Sequence, residues 1–458
     1  MKSSPVYLLF LIGAMACTPS SRPEPTKTLS KQEVPNFLVI LTDDQGYADV
    51  GCFGAPDLQT PYTDALVASG MRFNQFYANC PVCSPTRAAL LSGRYQEYVG
   101  VPGVIRTHAQ NNWGFMDTTA ILLPEILQSS GYHTALVGKW HLGLESPNTP
   151  NERGFDFFHG WLGDMMDDYV AKRRHDINYM RRNQEIIDPP GHATDIFTDW
   201  AVEYIEQQKN TDQPFFLYLA YNAPHFPVQP KADWLAKVQA REPDLSEKRA
   251  KLVAFIEHLD DGIGQVMEAL KRTDQLNNTV VVFSSDNGGL LRDEANNGPL
   301  RDGKQSVYEG GLKVPTCVSW PNKIKAGSVS ETRLLSMDIY PTLLSIAGID
   351  FQHEIEGMDF SPTLMGNSQS TEDRPVFFSR REGGTRYGGK TIQAVRLGDW
   401  KLLQNDPFGP RELYNLAQDP LEEHDLIEDK PDKFKELNGL LMKHLQKAGQ
   451  VPWQRRMD

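Results

Sequence analysis

Four apolar runs in this chain each end in a short polar tail, and the tails carry acids, an amide, histidines and a lysine. F-L-V-I-L at 37–41 leads into T-D-D-Q-G, Y-H-T-A-L-V at 132–137 into G-K-W-H-L-G, F-F-L-Y-L-A at 215–220 into Y-N-A-P-H, and T-V-V-V-F-S-S at 279–285 into D-N-G-G. Asp43, Asp44, Asp286 and Asn287 offer carboxylate and amide oxygens, a hard-donor set suited to Ca2+ or Mg2+ rather than zinc. Adjacent aspartates repel unless a cation sits between them. The histidines do not lie at zinc spacing, and Lys139 places a positive charge beside His141. With Arg87, Lys139, Lys304, His141 and His225 added, the set would grip a tetrahedral oxyanion and stabilise charge in transfer from a sulfate or phosphate ester. A nucleophile is still missing.

The runs that must position these residues read as buried strands: short, β-branched or aromatic, and bounded by turn residues. Helix-like stretches separate them, such as P-E-I-L-Q-S-S before Gly131 and the long L-V-A-F-I-E-H-L-D-D-G-I-G-Q-V-M-E-A-L-K-R before the fourth run. Strands alternating with helices predict an α/β fold with a mostly parallel sheet covered on both faces. The carboxyl ends of such strands share one rim, where Asp43, Asp44, Lys139, His141, His225, Asp286 and Asn287 would meet. Each tail alone also reads as an ordinary turn, D-N-G being a favoured turn sequence.

The composition limits the partners. The chain has 458 residues, 40% apolar and 23% charged, enough for a large core. A net charge of −13 opposes nucleic-acid binding, because phosphate contacts need a basic face. Residues 1–17 read as a signal peptide: Lys2, an apolar run from Val6, then Ala14 and Ala16 ahead of Cys17. The position of Cys17 resembles the acylated cysteine of bacterial lipoproteins, so membrane anchoring through lipid on Cys17 stands beside simple cleavage, and an exported, periplasmic or cell-surface enzyme is expected. Residues 18–34 are polar and proline-rich, a disordered tether. Export would permit disulfides among Cys52, Cys80, Cys83 and Cys317, and the sequence does not choose the pairing.

The stretch C-S-P-T-R-A-A-L-L-S-G-R, from Cys83 to Arg94, supplies the missing nucleophile through a resemblance. Together with L-T-D-D-Q-G, G-Y-H-T-A-L-V-G-K-W-H-L-G, A-P-H, S-S-D-N-G, G-K-Q-S-V-Y-E-G-G-L-K-V-P, W-K-L-L and E-L-Y-N-L-A-Q-D-P, it resembles the formylglycine-dependent sulfatases over nearly everything after residue 35. That resemblance implies an alkaline-phosphatase-like α/β sandwich over residues 35–345 and a smaller α+β subdomain with a short antiparallel sheet over 346–458. It implies that a formylglycine-generating or radical maturation enzyme oxidises Cys83 to formylglycine (3-oxoalanine), and that one hydroxyl of its hydrate attacks sulfur. Asp43, Asp44, Asp286, Asn287 and the modified Cys83 would hold one Ca2+. Lys139 and Lys304 would neutralise the sulfuryl oxygens and Arg87 would orient residue 83. His225 would protonate the leaving oxygen, and His141 would deprotonate the second hydroxyl so that sulfate is expelled.

The implied activity is sulfate ester hydrolysis on a sulfated oligo- or polysaccharide, such as ulvan, carrageenan, fucan or a host glycosaminoglycan. Cations that could hold further anionic groups occur at Lys172, Arg173, Arg174, His175, Arg181, Arg182, Arg380, Arg381 and Arg386. Aromatic residues between Trp161 and Asn183 could stack on sugar rings, although a charge run is also the usual look of a solvated face. Competing readings are a phosphodiesterase or phosphonate monoester hydrolase of the same superfamily, and an inactive sugar-binding lipoprotein.

Overall fold

The structure is a computed structural model that describes residues 34–108, 114–382 and 391–453. The signal-like segment with Cys17, the tether through residue 33 and Arg386 lie outside the described residues. A ten-stranded sheet runs through the larger part of the chain. Its centre is parallel, in the order Thr279–Ser285, Asn36–Thr42, Phe215–Ala220, His133–Lys139 and Phe157–Trp161. On one side Thr316–Ser319 joins antiparallel to Thr279–Ser285 and leads to Met71–Phe73 and Ser328–Ser330. On the other side Met180–Arg182 and Glu185–Ile186 close the sheet antiparallel. The four apolar runs are therefore four adjacent central strands, and the predicted mostly parallel α/β class is the one observed.

Alternation explains why these strands are apolar on both faces. Phe37, Val39 and Leu41 point into a core shared with Leu90, Leu91 and Tyr340, whereas Leu38 and Ile40 point into a second core with Phe197, Phe255 and Leu259. The helix Cys83–Ser92 lies in the first layer, and Ala193–Gln208 and Glu247–Arg272 form much of the second. Ser246 caps the last of these by accepting the Arg249 N–H at 3.0 Å.

The smaller sheet contains Val376–Arg381, Thr391–Leu397, Trp400–Gln404 and Glu412–Asn415, each antiparallel to the next. One face, through Val395, Leu402 and Leu413, packs on Leu437 and Leu441 of the helix Pro431–Ala448. The other, through Phe378, Ala394 and Leu403, packs on Tyr77, Ala89 and Val307. The small sheet is thus fused to the catalytic layer by a common core.

Close strand approach decides one residue beside the rim. A Cβ on Gly138 would lie 2.0 Å from the Ala220 carbonyl oxygen, and its φ of +104° suits glycine alone. Gly138→Ala should lower the free energy of unfolding by at least ~2 kcal/mol through clash and backbone strain. Gly327→Ala, at φ +68° with nothing near its Cβ, should cost only ~1–2 kcal/mol. Urea unfolding of the two variants checks this; an equal or smaller loss at position 138 would contradict the packing.

Candidate active site

Cys83 is the first residue of a helix whose ten residues are all buried, and Arg87 follows one turn later on the same face. The C-S-P-T-R spacing therefore aims a thiol and a guanidinium at the same strand ends. The helix amino terminus adds partial positive charge beside Cys83, and Pro85 costs no hydrogen bond in the first turn. Thr86 folds back to the Cys80 carbonyl at 2.8 Å, tying the incoming turn to the helix.

Arg87 joins three segments. Its Nε and Nη2 donate to Asp286 Oδ2 at 3.1 and 2.8 Å, and Nη1 donates to the Lys139 carbonyl at 3.2 Å. Lys139 Nζ lies 2.5 Å from Asp43 Oδ2. Lys304 Nζ lies 2.6 Å from Asp44 Oδ1, and Asn287 Nδ2 donates to that same oxygen at 2.8 Å. His225 Nε2 stands 3.5 Å from Asp44 Oδ2, while its Nδ1–H donates to the Phe226 carbonyl at 2.7 Å, so Nε2 is the nitrogen that faces the acids. His141 Nε2–H donates to the Ile105 carbonyl at 2.7 Å. Asp44 and His141 hold left-handed backbone conformations, φ 67° and 61°, directly after their strands, a strain of the kind found at functional sites.

The charge balance is tight. Burial would raise the Asp43 carboxyl, but Lys139, His225, Arg87 and Lys304 outweigh it and hold the group well below the usual carboxylate range. Burial and the Asp43 charge push Asp286 up against the pull of Arg87. Burial lowers His141 well below its ordinary value, helped by Lys139 and Arg87, and lowers His225 against the opposing pull of Asp44. Burial raises the Cys83 thiol, opposed by Lys139 and Lys304, so the unmodified side chain is a poor nucleophile.

Within the acid and amide set, the buried oxygens Asp43 Oδ1 and Asn287 Oδ1 have no protein partner. Leaving such atoms unsatisfied is costly, and a bound cation would satisfy both. Ligand atoms of Asp43, Cys83 and Asp286 lie within 4.8 Å of one another, as do those of Asp43, Asp44 and His225. The donor set and the orphaned oxygens fit a hard divalent ion.

Much of the cationic segment is engaged within the chain. Trp161 and Tyr169 are buried and unavailable for stacking on a sugar. They belong to the second core, because that excursion closes the sheet edge. Lys172 is buried with its Nζ on the Gly191 carbonyl at 2.9 Å. Arg173 pairs with Asp188 at 2.5 Å and Arg174 with Asp167 at 2.5 Å, while Arg181 bonds backbone carbonyls of Asn178 and Met180. Arg380 is buried against Glu382 at 2.7 Å. Arg182 is exposed, and Arg381 and His175 lie at or near the surface. Cys52, Cys80, Cys83 and Cys317 are free thiols.

Sequence reasoning missed the supports of the site. The Tyr169 hydroxyl lies 2.7 and 2.9 Å from the carbonyls of Asn222 and His225, holding the turn that carries His225. Ser84 Oγ accepts the Ile105 N–H at 3.1 Å, beside the carbonyl that holds His141. No motif announces either contact, because each ends on backbone.

In metal-free protein, Arg87→Ala should cost about 3–5 kcal/mol by leaving Asp286 buried and unpaired. The double variant Arg87→Ala/Asp286→Asn should recover a substantial part of that loss. Denaturant unfolding in chelator measures both, and a full-sized loss that persists in the double variant would contradict the pairing.

Comparison with known proteins identifies the family and matches the fold. The family model described as Sulfatase matches residues 35–349, and that described as N-sulphoglucosamine sulphohydrolase, C-terminal, matches residues 302–450. N-acetylgalactosamine-6-sulfatase of Sus scrofa is 33% identical over 419 residues, 86% of this chain and 74% of that one. A sulfatase of Formosa agariphila is 29% identical over 479 residues, covering 87% of this chain and 85% of its own. The crystal structure of Ps i-CgsB in complex with k-i-k-neocarrahexaose superposes with a TM-score of 0.84 at 31% identity, covering 93% of this chain and 95% of that one. The chain belongs to the sulfatase family and is a sulfuric ester hydrolase.

Proposed function

We propose that this enzyme hydrolyses sulfate esters on a sulfated carbohydrate, using a formylglycine made from Cys83 by a maturation enzyme and one Ca2+ held by Asp43, Asp44, Asp286, Asn287 and residue 83. The observation that carries the reading is the position of Cys83: it opens a buried helix with its sulfur within 4.8 Å of carboxylate oxygens of Asp43 and Asp286, in a site where Asp43 Oδ1 and Asn287 Oδ1 have no protein partner. A carbohydrate substrate is supported by the relative named N-acetylgalactosamine-6-sulfatase and by the similar structure bound to a neocarrahexaose. Carrageenan-type oligosaccharides are the first substrates to test. Export, with lipid anchoring at Cys17, belongs to the same proposal and suits an enzyme that meets polymers outside the cell.

When present, formylglycine supplies an electrophilic carbon that can be hydrated and Ca2+ supplies a Lewis acid. The chain's own residues do the rest. Arg87, Lys139 and Lys304 match Asp43, Asp44 and Asp286 in charge, so a divalent ion leaves the site net positive toward an anionic ester. Lys139 and Lys304 then stabilise negative charge on the sulfuryl oxygens, worth far more in a dry site than in water. His225 turns Nε2 toward the acids, and this atom would hand a proton to the departing sugar oxygen. An arriving ester anion favours the protonated ring, countering the burial that lowers its pKa. His141 keeps a free lone pair on Nδ1, which would accept a proton from residue 83.

Coexpression with a formylglycine-generating enzyme should give a peptide with an aldehyde at position 83 by mass spectrometry. Cys83→Ala should keep the fold yet lose sulfate release from defined sulfated oligosaccharides by at least ~1,000-fold; parental turnover in that variant would remove Cys83 from the mechanism. EGTA should lower Tm, with recovery on adding Ca2+, whereas no thermal response to either would remove the metal.

A further inference from the structure

His141 is held by one atom, the Ile105 carbonyl oxygen, at 2.7 Å. A carbonyl cannot donate, so the imidazole carries its proton on Nε2, and Nδ1 is left buried with its lone pair free of protein partners. The same residue donates its N–H to Ser84 Oγ at 3.1 Å, next to Cys83. The peptide groups of Ile105 thus set both the nucleophile's neighbour and the histidine.

The segment containing Ile105 is held from the C-terminal sheet. The Arg381 N–H donates to the Pro102 carbonyl at 2.8 Å. Glu382, at the end of the same strand, is fully buried and accepts from Arg106 Nη2 at 2.5 Å and from Arg380 Nε at 2.7 Å. Arg106 also donates through Nη1 to the Val104 carbonyl at 3.2 Å, so its guanidinium spans Glu382 and the peptide just ahead of Ile105. A buried carboxylate between two arginines is weak as a source of net stability, and removing one partner leaves an uncompensated buried charge. Within the proposed function, where His141 exchanges a proton with residue 83, we propose that Glu382, acting through Arg106, is a positioning residue that fixes the Ile105 carbonyl and with it the Nε2–H tautomer and ring orientation of His141. The C-terminal subdomain is on this account part of the catalytic apparatus.

Histidine nitrogen NMR on the folded chain reads the tautomer directly, with His141 assigned by the signals lost in His141→Gln. The parent should show a protonated Nε2 and a bare Nδ1. Glu382→Gln and Arg106→Met should each give a mixture of tautomers, and in matured enzyme each should lower kcat about 10-fold or more with KM within about twofold. Arg106→Lys, which keeps a charge against Glu382, should recover much of the parental spectrum and rate. A folded Glu382→Gln or Arg106→Met protein with the parental His141 spectrum overturns the proposal, and where Glu382→Gln does not fold, Arg106→Met decides. The spectrum is also read on unmodified Cys83 protein, so its outcome is independent of turnover, whereas failure of the formylglycine reading would show as activity in Cys83→Ala.

Discussion

Three carboxylates with almost no access to water, Asp43, Asp44 and Asp286, sit at the ends of two neighbouring strands, and the rest of the site follows from the need to neutralise them. Desolvating even one such charge without a partner costs several kcal/mol. The protein answers with a cation from each of three separate places: Arg87 from the buried helix, Lys139 from the next strand but one, and Lys304 from a loop. Each pairing ties a segment to the rim. Removing the acids would leave three cations buried without partners, and removing the cations would leave a charge the core cannot hold.

That balance would also let one site take the proposed cation and then an anion. Matched charges make the resting site nearly neutral, so a divalent ion tips it positive and prepares it for an ester anion. The lysines already stand within hydrogen-bond distance of carboxylate oxygens, and those contacts resemble the ones a sulfuryl oxygen would make. Preorganisation of this kind limits the reorganisation that charge transfer would otherwise require.

Much of this was legible in the sequence because strand ends are local. Each apolar run carried its polar tail with it, and a parallel sheet brings such tails to one rim without further information. C-S-P-T-R was legible only through its resemblance to a family signature, and the buried helix that puts Cys83 and Arg87 on one face is what the structure adds. The cationic excursion left two readings open because composition does not say which side of a sheet edge a side chain meets: Trp161 and Tyr169 fill a core, and Lys172, Arg173 and Arg174 bond nearby carbonyls and aspartates. The support of His141 was invisible for a different reason. Its acceptor is a backbone carbonyl, held by Glu382 far along the chain, and neither fact leaves a pattern in residue types.

The fusion of the small sheet to the catalytic layer has a consequence for the order of events in the cell. Strand Val376–Arg381 leaves the ribosome long after the segment around Pro102 that it holds, and Cys83 ends 4% exposed. Until that late strand arrives, the helix of Cys83 lacks part of the roof under which it finally lies. A thiol whose helix is covered by residues this late in the chain is less shielded in any partly folded form than in the finished protein.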